Sequence, residues 1–306
     1  MKRVFASVCL VMAALSATTG CTDSNGTKAK GLSRADGMNT EQGRVSRPVR
    51  ELTHADQLRI DDAVQRLISK CMERQGFTYH ERRPLTLEES RPTGYVQDDV
   101  AWARKHGYGS RIAEKSSRAR ATDPNIAYRK GLSAERRRAF DTALDGGPTA
   151  RVIVADVPGG GTIRKRADGC IGEAERKLYG DLETWFVAEK AADSIRPLYV
   201  GELLADKKFA RAVRAWSRCM QSAGHPYRDP GEARQAAGQA DFGTELRIAV
   251  AAATCARQTS LKTVGRQREA HYVDQLRTEF GGALDTAQRL RHRALTRAEQ
   301  IVEPRE

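Results

Sequence analysis

The sequence predicts a mainly α-helical domain, stapled by disulfides, with two related halves and one small β-hairpin. Three observations carry that expectation. Apolar residues recur at helical spacing through most of residues 51–302. One short segment occurs twice, as Cys71-Met72-Glu73-Arg74-Gln75-Gly76-Phe77-Thr78-Tyr79 and as Cys219-Met220-Gln221-Ser222-Ala223-Gly224-His225-Pro226-Tyr227. Four cysteines, Cys71, Cys170, Cys219 and Cys255, fall two to each half, the halves running about 51–195 and 196–302.

Ahead of that domain, residues 1–20 read as an export signal. Lys2 and Arg3 open it, residues 4–15 form an apolar run, and Ser16-Ala17-Thr18-Thr19-Gly20 supplies small residues. The run is shorter than the roughly 20 apolar residues that span a bilayer. Cys21 stands at the expected cut, like the cysteine of a bacterial lipobox. Gly20 fits that pattern, whereas Thr18 occupies the place where leucine is preferred. The reading makes Cys21 the mature N-terminus and the site of lipidation. The protein would then sit on the outer face of the cell membrane; plain secretion is the alternative. Stable anchoring takes two signals or several chains, and a diacylglyceryl cysteine meets that need. Residues 22–50 are Thr, Asp, Ser, Asn, Gly, Lys and Arg with almost no large apolar side chain, which predicts a flexible tether over 21–50.

The cysteine count agrees with export. Of the 6 cysteines, Cys9 leaves with the signal, and an acylated Cys21 takes no part in pairing. An even set of four remains for two bridges, which an oxidising compartment preserves. The simplest pairing is Cys71 with Cys170 and Cys219 with Cys255, although four cysteines allow three connectivities.

The elements follow in order. Thr53 and Asp56 offer a helix start related to a capping box. Ile60, Val64, Leu67, Ile68 and Cys71 continue it at helical spacing, and Gly76 stands where a left-handed stop favours glycine. Tyr79 is placed to fold back over the helix end. Residues 82–98, with Pro84, Pro92 and Gly94, read as irregular, and so does the polar stretch 113–131 around Pro124. Ser133 starts a helix through Phe140 and Leu144 that stops at Asp145-Gly146-Gly147. β-Branched residues 150–155, a Pro158-Gly159-Gly160-Gly161 turn and residues 162–166 make a hairpin. Gly169-Cys170-Ile171 leads into a helix, and Leu178, Leu182, Trp185 and Phe186 mark another. The second copy has Phe209, Val213, Trp216 and Met220 before Gly224. Cys255 lies on a further helical stretch. From 261 to about 302, Tyr272, Leu276, Phe280, Leu284 and Leu290 recur, with Gly281-Gly282 expected to bend or split the helix.

Taken together, several motifs resemble uncharacterised secreted lipoproteins of actinobacteria. They are Cys71-Met72 with Gly76-Phe77 and Tyr79, Asp168-Gly169-Cys170 with Glu173-Ala174 and Leu178-Tyr179-Gly180, and Trp216 with Cys219-Met220 and Gly224. The likeness covers most of residues 54–300. It implies a location and an architecture and brings no activity. His225-Pro226 departs from the pattern, standing where the first copy has Phe77.

The chain has 306 residues and a net charge of +13, with 39 Arg and 13 Lys. Loss of Lys2 and Arg3 leaves about +11. About 250 residues remain for the domain, enough for a sizeable core. The Arg skew reads as the mark of a G+C-rich genome, so no nucleic-acid partner is expected. The anionic neighbours of an exported basic protein are phospholipid head groups and cell-wall polymers. A protein partner is left unassigned.

Motifs for catalysis or metal binding are sparse. None of the 6 histidines sits in a metal signature, and no cysteine has a histidine at ligand spacing, so no metal and no cofactor are expected. No nucleophile elbow occurs. Ser260-Leu261-Lys262 is one residue short of the Ser-x-x-Lys of penicillin-binding enzymes. The glycine turn at 159–161 lacks the Gly-Lys-Ser/Thr of a phosphate loop. Asp61-Asp62 and Glu88-Glu89 could work as acid–base pairs only inside a cleft. Tyr79, Tyr179, Trp185, Trp216 and Tyr227 read as core side chains rather than a groove lining. No catalytic residue is assigned. The expectation is a non-catalytic binding or envelope-associated protein. The alternative is a cell-envelope hydrolase whose site is assembled only by the fold.

Overall fold

The computed structural model describes residues 50–303. The expected signal, Cys21 and most of the expected tether lie outside those residues. The described chain is mainly helical, with thirteen helices and a single two-stranded antiparallel sheet.

The first helix, α1 (His54–Arg74), starts at a full capping box. Thr53 Oγ1 accepts the Asp56 N–H at 3.1 Å, and the Asp56 carboxylate accepts the Thr53 N–H at 2.8 Å. After a long irregular stretch come α2 (Val100–His106), α3 (Ser110–Ala121), α4 (Pro124–Gly131) and α5 (Ala134–Asp145). The polar stretch 113–131 is therefore helical, contrary to expectation. Asp123 caps α4 and Pro124 occupies its first turn, where a missing N–H costs nothing. The absence of an apolar stripe hid both helices; no residue of α3 or α4 is fully buried.

The hairpin has β1 (Val152–Asp156) and β2 (Thr162–Arg166), with Val154 opposite Arg164. Ile153 and Ala155 face the core and Val152 and Val154 face outward. Next come α6 (Gly169–Tyr179) and α7 (Leu182–Ser194). The apolar run at 178–186 spans two helices, because Gly180 turns the chain at φ +93 and Asp181 caps the next start. Across that turn Tyr179 and Trp185 stack at 3.8 Å, 4° from parallel.

The remaining helices are α8 (Arg196–Ala205), α9 (Lys207–Ser222), α10 (Pro230–Gly238), α11 (Phe242–Gln258), α12 (Leu261–Gln275) and α13 (Arg277–Glu299). The break expected at Gly281-Gly282 falls instead at Leu276, and both glycines lie inside α13. A helical glycine costs about 1 kcal/mol. Packing of Ala287, Leu290, Ala294, Leu295 and Ala298 into the core outweighs that cost.

The repeated segment is a repeated structure. Gly76 and Gly224 adopt left-handed φ of +74 and +81. The Phe77 N–H reaches back to the Met72 carbonyl at 2.9 Å, and the His225 N–H to that of Met220 at 2.8 Å. Each returning tyrosine is held alike: Ser69 Oγ donates to the Tyr79 carbonyl at 3.0 Å, and Ser217 Oγ to that of Tyr227 at 2.8 Å. Cys71 joins Cys170 and Cys219 joins Cys255, with Cα–Cα distances of 5.5 and 5.6 Å. The partner helices differ between copies. Cys170 opens α6, whereas Cys255 lies near the end of α11.

The sequence boundary near residue 195 is not a packing boundary. The core around α1, α6 and α7 takes in Ala287 to Val302 from the end of the chain. The core around α9, α11 and α12 takes in Val96 and Tyr108 from before the hairpin. Ala103 of α2 packs on Ala249 and Ala253 of α11. Each half thus lends an element to the other. A buried carboxylate fastens one such exchange. Glu245 of α11, 2% exposed, accepts the N–H of Tyr108 at 2.7 Å and of Ser110 at 3.2 Å, at the start of α3.

Candidate functional site

The structure disperses the polar residues that the sequence singles out. His80 is exposed beside Asn125, and His225 stacks on Tyr227 at 6.4 Å. Asp62 pairs with Arg83 at 2.8 Å, Asp61 accepts the Gln57 amide at 3.0 Å, and Glu89 pairs with Lys115 at 2.6 Å. Glu88 takes both Lys105 and His106; hydrogen bonds from these two hold its carboxyl below the usual range. Lys262 pairs with Asp98. Among the described residues no group of three or more His, Cys, Asp or Glu is placed to hold a metal ion. Tyr179, Trp185 and Trp216 are buried, with the Trp216 indole donating to the Ala252 carbonyl at 3.0 Å. Tyr79 and Tyr227 lie half-buried against the helix ends.

What the fold does build is an apolar groove of about 400 Å³ between α8, α9, α12 and the loop 92–96. Helical periodicity makes two of its walls. On α8, Arg196, Val200, Leu203 and Leu204 are spaced i, i+4, i+7 and i+8, one face of the helix. On α12, Lys262, Gly265, Arg266 and Glu269 are spaced i, i+3, i+4 and i+7. Phe209 of α9 closes the groove from below, and the space above it exists because residue 265 has no side chain. A Cβ there would stand 3.4 Å from the Phe209 ring.

The loop wall is held in place from two sides. Arg234 of α10 donates to the Gly94 carbonyl at 2.6 Å, and the Tyr95 hydroxyl donates to Asp229 at 3.3 Å. Burial and the Asp229 charge push the Tyr95 phenol up to about 12, so it stays a donor at any physiological pH. The Lys262–Asp98 pair ties the end of the loop to α12.

The mouth is cationic. Arg196 and Arg266 are exposed on facing walls, and neither forms an ion pair or hydrogen bond among the described residues. The Glu269 carboxylate is engaged, accepting the Tyr199 hydroxyl at 2.7 Å. Leu204, 53% exposed, and Tyr95 leave apolar surface open beside those charges. The geometry suits a ligand with an apolar body and an anionic end.

Sequence reading passed over these residues. A usable signal was present in Arg196, Val200, Leu203 and Leu204, which form an apolar stripe headed by a cation on a short helix. The loop wall carries no such signal, because its place is set by contacts more than a hundred residues away.

No helix among the described residues is long and apolar enough to cross a membrane. Comparison with known proteins finds no protein-family model, no curated protein and no solved structure that matches this chain.

Proposed function

We propose that this chain is a lipid-anchored extracytoplasmic binding protein, held to the outer face of the cell membrane through Cys21. The observation that carries the reading is the pairing of all four domain cysteines in two disulfides. Such bridges persist in an oxidising compartment. Those bridges use all four cysteines of the described domain, so none of them competes with Cys21 for the lipid. The groove between α8, α9 and α12 supplies the binding surface. The resemblance to secreted actinobacterial lipoproteins points to the same location, and the net positive charge suits a surface rich in anionic lipids and cell-wall polymers.

Fractionation of cells expressing the full chain tests the anchor. The wild type is expected in the membrane fraction, labelled by a clickable palmitate analogue, and Cys21→Ser is expected to lose both. A Cys21→Ser chain that stays membrane-bound overturns the reading.

A further inference from the structure

We propose that the groove between α8, α9, α12 and the loop 92–96 binds a single-chain amphiphile with an anionic head, a long-chain fatty acid in the simplest case. The inference rests on the binding reading above and names its ligand class. Four observations converge. The floor and walls, Val200, Leu203, Leu204 and Phe209, are apolar and would desolvate an acyl chain. The volume of about 400 Å³ lies in the range of small-ligand sites. Arg196 and Arg266 stand on opposite walls of the mouth without protein partners, as two guanidinium forks open to a carboxylate. The other charged groups of the lining are already committed, Lys262 to Asp98 and Glu269 to Tyr199. Lys262 and Asp98 cancel, and against the one carboxylate of the lining, Glu269, the two arginines leave an excess of one positive charge.

Gly265 sets the depth of the groove. Any branched side chain there runs into the Phe209 ring or into the groove. The one carboxylate of the lining, Glu269, is held by the Tyr199 hydroxyl and outweighed by the two arginines, and the loop wall is pinned through Arg234, Asp229 and Asp98. The site is thus preformed, which limits the ordering cost of binding.

The test is titration of the purified full chain with dansyl-undecanoic acid, a fluorescent fatty acid, followed by displacement. Saturable binding in the micromolar range with blue-shifted emission is expected. Oleate should displace the probe at least about tenfold better than oleyl alcohol, which lacks the anionic head. The exposed Arg196→Glu/Arg266→Glu pair should weaken probe binding at least about tenfold while circular dichroism and both disulfides are unchanged. Gly265→Leu should block it by filling the groove. Absence of saturable binding overturns the proposal. So does equal displacement by oleate and oleyl alcohol, or an unchanged affinity in the double arginine variant. Membrane retention through Cys21, scored on the same chain, reports on the anchor alone, so loss of probe binding with retention intact overturns only the ligand assignment.

Discussion

The carboxylate of Glu245, buried on α11, accepts the backbone N–H of Tyr108 at 2.7 Å across 137 residues of sequence. It also takes the Ser110 N–H, and so caps the start of α3, a helix without a side-chain cap of its own. Gly107 lies against it, at φ +63, where a Cβ would come within 2.7 Å of Glu245 Oε1. Glu245→Ala should cost about 3 kcal/mol by stranding these donors. Gly107→Ala should cost at least as much through strain and overlap. In the double variant the overlap is gone, so its loss should fall short of the sum of the two single losses by about 1–2 kcal/mol. Urea unfolding of the four chains gives the cycle directly; strict additivity would mean that the contact carries no coupling.

The two disulfides should differ in weight. Cys71–Cys170 spans 99 residues and Cys219–Cys255 spans 36. In the chain-entropy model these loops are worth about 4.7 and about 3.8 kcal/mol. Replacing Cys71 and Cys170 by serine should therefore lower stability by about 1 kcal/mol more than replacing Cys219 and Cys255. Thermal unfolding of the two double-serine variants ranks them, and the reverse order would refute the entropic account.

Acid should loosen the first helix only as pH approaches about 2. Burial works to raise the Asp56 carboxyl, but hydrogen bonds from Arg50 and Thr53 outweigh it and hold the group at about 2. An unfolded aspartate titrates near 3.9. The contribution is therefore complete above about pH 5 and is lost progressively as pH falls through about 2. Asp56→Asn should be about 1 kcal/mol less stable than wild type at pH 7, with the gap narrowing as pH falls through about 2. Chemical unfolding at both pH values measures the difference.

Two helical glycines should respond in opposite directions to the same substitution. A Cβ at Gly172 would stand 1.9 Å from the Ala167 carbonyl oxygen, whereas Gly201 has nothing within 4 Å. Gly172→Ala is expected to destabilise by at least about 3 kcal/mol through forced displacement of that backbone. Gly201→Ala, in the middle of α8, should stabilise by about 0.5–1 kcal/mol. Melting temperatures of the two variants decide it.

Local signals in the chain were strong where one residue type does one job. Thr53 with Asp56, Gly76 with Gly224, the glycine turn of the hairpin and the four cysteines all read correctly as caps, stops, turn and staples. Legibility failed where the outcome is decided by a distant partner. Leu276 ends α12 although Gly281 and Gly282 are the poorer helix formers, because α13 is held by its packing on α7. Residues 113–131 form helices despite lacking an apolar stripe. The start of α3 is anchored by Glu245, and Arg82 binds the Asp123 that caps α4. The groove belongs to the same class. Its helical walls were readable one at a time, but their meeting with Tyr95 and Gly94 is fixed by Asp229 and Arg234.

The exchange of elements between the halves has a kinetic consequence. Ile60 of α1 and Leu178 of α6 share a core with Leu290 and Leu295, so the first apolar face to emerge waits for nearly the last. A chain still being synthesised cannot complete that core until α13 has emerged. The second half has a nearer start, since α9 and α11 are separated only by α10 and its flanking turns and the Cys219–Cys255 separation is 36 residues against 99 for Cys71–Cys170, so loop closure is less costly there. Folding is expected to begin around Trp216 and finish around Trp185, in the reverse of their order along the chain. Until α13 docks, the face that it covers is open to any chaperone or neighbour with an apolar surface.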